Sequence, residues 1–80
     1  MKVTLKAIVN NYAIINFDSF LEEIRDGSIQ LKIIRNELAK LIEKNMKCRV
    51  EFPDKSHKEV AIREIIRQDG NLILDCRSSK

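Results

Sequence analysis

The chain has 80 residues, a length that gives one domain and a modest core. Hydrophobic residues make up 44% and charged residues 34%, a balance that excludes intrinsic disorder. The formal net charge of +3 is spread along the chain without a like-charged run, which argues against a dedicated nucleic-acid or membrane arm.

Residues 2–9 alternate, with Val3, Leu5, Ala7 and Val9 on one side and Lys2, Thr4, Lys6 and Ile8 on the other. That period of two is a half-buried strand. Asn10-Asn11 tolerates the positive φ angles of a hairpin turn, and a second strand is expected over Tyr12–Asn16. Met1-Lys2 leads straight into the alternation, so no leader peptide is expected. No apolar stretch approaches the length of a membrane helix. A cytoplasmic location is the expectation.

Phe17, Phe20, Leu21 and Ile24 fall at i, i+3, i+4 and i+7, one face of a helix. Asn16 or Asp18 would cap it and Gly27 would stop it. Ser28 would then cap a longer helix over 29–44, with the stripe Leu31, Ile34, Leu38, Leu41 and Ile42 toward the core. Ile29 and Ile33 project from its far side, and Asn36, Lys40 and Lys44 continue that back face. Two isoleucines opposite the core stripe need a cover, supplied either by the preceding helix or by a second chain. Leu31-Lys32-Ile33-Ile34-Arg35-Asn36-Glu37-Leu38, after Gly27-Ser28 and a first strand, resembles in part the second helix of ribbon-helix-helix repressors. The helix between Asp18 and Asp26 is short for that family and the C-terminal part lies outside it, so no membership is assigned.

Cys48, Val50 and Phe52 alternate with Arg49 and Glu51 in a third strand, closed by Pro53-Asp54. Ser56-x-x-Glu59 fits a helical capping box, but Val60, Ile62 and Ile66 alternate and Asp69-Gly70 precedes the strand Asn71–Cys76. The hairpin is preferred over a helix. A three-residue Gln68-Asp69-Gly70 loop would pair Ile66 with Leu72 and Ile62 with Cys76, whereas a two-residue Asp69-Gly70 turn would pair Ile66 with Ile73. The former gathers the apolar residues on one side and is favoured.

The expected fold is therefore α+β, in the order β-β-α-α-β-β-β: an antiparallel sheet of N-terminal hairpin and C-terminal three-stranded meander, packed against a helical pair. Residues 1–76 form the single domain and 77–80 a tail, with no internal repeat.

Few residues carry chemistry. Cys48, Cys76 and His57 lack the close pairing of a zinc site, and both cysteines share the apolar parity of their strands as buried thiols. Asp54, Ser56 and His57 crowd one loop without a rigid shell to hold a nucleophile and base. Gly27 and Gly70 are the only glycines, so there is no phosphate-cradling loop. No cofactor, metal or catalytic residue is expected. The expected function is a non-enzymatic, protein-binding module, a small regulator, inhibitor or adaptor. Its contact residues would be Ile29, Ile33, Asn36 and Lys40, its partner another protein chain, with a second copy of itself as one candidate. The alternative is a nucleic-acid binder using a sheet face bearing Arg49, Arg63, Arg67 and Arg77, or the N-terminal strand-helix-helix unit.

Overall fold

Alternation carries the chain much further than a short hairpin. The computed structural model describes residues 1–9 and 13–78, and its strands are β1 Lys2–Val9, β2 Ala13–Arg25, β3 Ser28–Ile33, β4 Lys47–Glu51, β5 His57–Gln68 and β6 Asn71–Ser78. They close into an all-antiparallel barrel in the order β1-β2-β3-β6-β5-β4. The Asn10-Asn11 turn lies outside the described residues. Among the described residues the single helical element is a 3₁₀ turn, Glu37–Leu41, whose cap Asn36 accepts a hydrogen bond at Oδ1 from the Leu38 N–H at 2.9 Å.

The α+β expectation is thus overturned: neither helix exists. Within β2, Phe17 and Ser19 point inward with 0% exposure, while Asn16, Asp18 and Phe20 point outward. Ser19, a polar residue at a core position, hides the period of two. Its hydroxyl donates to the Phe17 carbonyl oxygen at 3.3 Å, which satisfies it inside the barrel. The ladder then slips between Leu21 and Glu23, a β-bulge that shifts parity and gives Ile24 its false helical spacing. Gly27 is not a helix stop. Asp26 (φ 41°) and Gly27 (φ 82°) form a two-residue hairpin turn with both angles positive, the geometry that suits strand twist. After it Ile29, Leu31 and Ile33 alternate inward, so the segment resembling a repressor helix is a strand followed by a loop.

The C-terminal hairpin combines both registers considered for it. Asp69 (φ 53°) and Gly70 (φ 80°) make a two-residue turn, which pairs Gln68 with Asn71 and Ile66 with Ile73. A bulge between Ile62 and Glu64 then shifts the ladder by one, so that Ile62 faces Cys76. The same bulge turns Val60 and Ile62 into the core beside Leu74 and Cys76. β6 continues through Arg77 and Ser78, which pair with Ala61 and Val60.

The two long strands each serve two sheets. The first halves of β2 and β5 flank β1 and β4; their second halves flank β3 and β6. Each bulge follows directly on the residues where its strand changes partner. Following partners from Ile15 through Ala7, Cys48 and Val60 leads to Ser78, whose N–H donates to the Gly27 carbonyl oxygen at 2.9 Å. The path returns far along the β2–β3 hairpin rather than where it began, the stagger that barrel closure requires. Phe17, Leu5, Leu31, Val50, Ile62 and Leu74 fill the interior at 0% exposure, and Ala39 and Ile42 of the β3–β4 connection are buried against them.

The barrel is also an internal repeat, which the sequence reading missed. The turns Asp26-Gly27 and Asp69-Gly70 are 43 positions apart. The same offset relates Leu5 to Cys48, Ala7 to Val50, Phe17 to Val60, Ile29 to Leu72, Leu31 to Leu74 and Ile33 to Cys76, and every member is buried. Registers agree as well: Leu5↔Phe17 in the first half corresponds to Cys48↔Val60 in the second, and Arg25↔Ser28 to Gln68↔Asn71. The meander β1-β2-β3 thus recurs as β4-β5-β6. The two seams join each strand to its own counterpart, β1 to β4 and β3 to β6, about a pseudo-dyad through the pairs Lys6↔Arg49 and Leu31↔Leu74.

Candidate protein-contact surface

Residues expected to form a contact patch are dispersed. Ile29 and Ile33 are 2% and 1% exposed inside the barrel, because a spacing of four shares a face in a strand as it does in a helix. Asn36 caps the 3₁₀ turn and Lys40 sits exposed in its last residues. The four arginines do not share a face either. Arg49 is held by Glu59 across β4–β5, donating from Nε at 3.0 Å and Nη2 at 2.8 Å. Arg63 occupies the bulge. Beyond it, Arg67 stands opposite Leu72 and lines a small hollow with Asn36, Ala39 and Gly70. Arg77 lies opposite Ser28 and Ala61.

The Asp54-Ser56-His57 loop is built as a turn. Both the amide and the hydroxyl of Ser56 donate to Asp54 Oδ1, which holds that carboxyl below its ordinary pKa. Cys48 and Cys76 are buried free thiols on either side of β5, as their parity indicated. Burial pushes them up to about 11 and about 12 respectively, with smaller contributions to Cys76 from Cys48 and Asp75. Neither is a nucleophile near neutral pH. Among the described residues, no cluster of three His, Cys, Asp or Glu side chains is placed to hold a metal ion, and no helix is long and apolar enough to cross a membrane.

What the fold does bring together is an apolar pair on the outside. Ile8 and Ile14 stand directly opposite each other on β1 and β2, 52% and 67% exposed. Directly opposed side chains on one sheet face are in contact range. The pair walls a groove of about 280 Å³ whose other sides are Lys6, Lys47, Arg49 and Glu59. Lys6 is paired with Glu51 at 3.4 Å and Arg49 with Glu59, while Lys47 joins no ion pair among the described residues. The groove therefore offers an apolar wall beside a cation without a counter-charge. Ile8 was on the polar side of the first strand in the sequence pattern. That mismatch is the one signal of the groove in the sequence.

The comparisons give no family to set beside this site: no family model, no curated protein and no solved structure matches the chain.

Proposed function

We propose that this chain is a non-enzymatic protein-binding module whose contact surface is the Ile8/Ile14 groove. The supporting observation comes from the repeat. At the corresponding positions of the second half, the ladder pair Ile8↔Ile14 is replaced by Glu51↔His57, on strands of the same register. The fold accommodates a carboxylate and an imidazole there, so barrel formation does not call for two exposed isoleucines. Covering them with another chain would contribute about 2–3 kcal/mol at roughly 25 cal/mol per Å². The complementary partner is a protein segment that lays an apolar side chain on Ile8 and Ile14 and brings a carboxylate to Lys47.

The test borrows the second half's own residues. Ile8→Glu combined with Ile14→His should fold with a melting temperature within a few degrees of wild type. It should also lose a partner that wild type captures from the native host, and Lys47→Glu should weaken that complex severalfold. Retention of the partner by the double variant would refute the groove as the contact surface. Sub-micromolar binding to DNA or RNA at physiological salt, lost on Arg63→Glu with Arg67→Glu, would favour the nucleic-acid alternative instead.

A further inference from the structure

We infer that two copies of this chain exchange halves, with the segment 34–45 as the hinge. The inference is independent of the groove. Both seams that hold the halves together, β1 against β4 and β3 against β6, pair a strand with its own counterpart in the repeat. Because each seam joins the first half to the second, the same contacts can form between two copies related by a twofold axis. If the hinge straightens, the first half of one copy pairs with the second half of the other, and every seam contact forms again between chains. The monomer and the exchanged dimer then differ only in the hinge and in the entropy of association.

The hinge is held closed under strain. Arg35 (φ 28°), near its start, adopts the left-handed conformation that its side chain disfavours, and an extended hinge releases it. Closure is favoured by Ala39 and Ile42, buried against the core. Arg35 also lies over the Asp69-Gly70 turn, close enough that a Cβ on Gly70 would meet its Cγ at 3.4 Å. These contacts keep the dilute chain closed, and concentration or a hinge substitution tips the balance.

Two experiments on the full chain decide the matter. Refolding Arg35→Pro, whose φ cannot be positive, should convert a mainly monomeric product into a mainly dimeric one at the same micromolar concentration by light scattering. Arg35→Gly should remain monomeric. Exchange is then separated from side-by-side pairing by complementation. A chain carrying Leu5→Asp with Leu31→Asp and a chain carrying Val50→Asp with Leu74→Asp should each be unfolded alone. Refolded together, they should recover about half the wild-type circular dichroism signal, since one intact barrel forms per exchanged pair. A mixture that stays unfolded, or an Arg35→Pro chain that is monomeric and fully folded, would overturn the inference.

Discussion

Cys48 and Cys76 show how position in the barrel fixes the behaviour of single residues. Their thiolates would have to sit among apolar side chains, so both pKa values lie well above the ordinary 9.0, at about 11 and about 12. In the unfolded chain they ionise near 9; in the folded chain they keep their protons until about 11. The thiols' contribution to stability is therefore constant below pH 9 and falls as pH rises from 9 toward 11. Denaturant melts at pH 8, 9, 10 and 11 should show this decline, and Cys48→Ala with Cys76→Ala should remove its steepest part. An equal decline in that variant would assign the effect to other groups. The burial of both thiols was legible from strand parity alone. The groove was not, because Ile8 and Ile14 belong to a strand and its neighbour, and only the hairpin register makes them a pair.

Among the elements, the bulges decide which way side chains face. If residue 63 were paired in an unbroken ladder instead of standing out as a bulge, Ile62 and Val60 would point outward while Leu72 and Leu74 still pointed in. Deleting Arg63 removes only the unpaired residue and leaves Ile62 opposite Cys76, so that variant should still fold, and Arg63→Ala should change stability by less than about 0.5 kcal/mol. Urea unfolding of the two variants checks this, and a deletion variant that fails to fold would show that the bulge itself, and not parity alone, is required. Bulges are also why the sequence misled. A period of two interrupted by one extra residue produces spacings of three and four, which accounts for Phe17, Leu21 and Ile24, while Phe20 on the outer face completed the helical signature. The uninterrupted strands Lys2–Val9 and Lys47–Glu51 were legible for the same reason that the bulged ones were not. Asp-Gly was taken as a turn at 69–70, where alternation flanked it. At 26–27 a supposed helix had already claimed the glycine.

At the scale of the whole molecule, two similar meanders complete one core. The repeat escaped notice because burial pattern, not residue identity, is what recurs: in the corresponding strands and turns only Asp26/Asp69, Gly27/Gly70 and Leu31/Leu74 are the same residue. Leucine against cysteine or phenylalanine against valine satisfies the same inward position, so composition drifts while parity holds. The ring of strands has a further consequence, for aggregation. A chain with this much strand sequence, including the run Asn71-Leu72-Ile73-Leu74, has the ingredients of cross-β assembly. Closure removes the open sheet edge on which such assembly grows, so the native barrel offers fibril seeds nothing to extend. Fibril growth should consequently wait on opening of a seam. Thioflavin fluorescence of seeded samples should stay flat in buffer and rise only at urea concentrations near the unfolding midpoint, shifting in step when Leu31→Ala lowers that midpoint. Growth in buffer at a rate indifferent to stability would mean that an edge is accessible in the folded barrel.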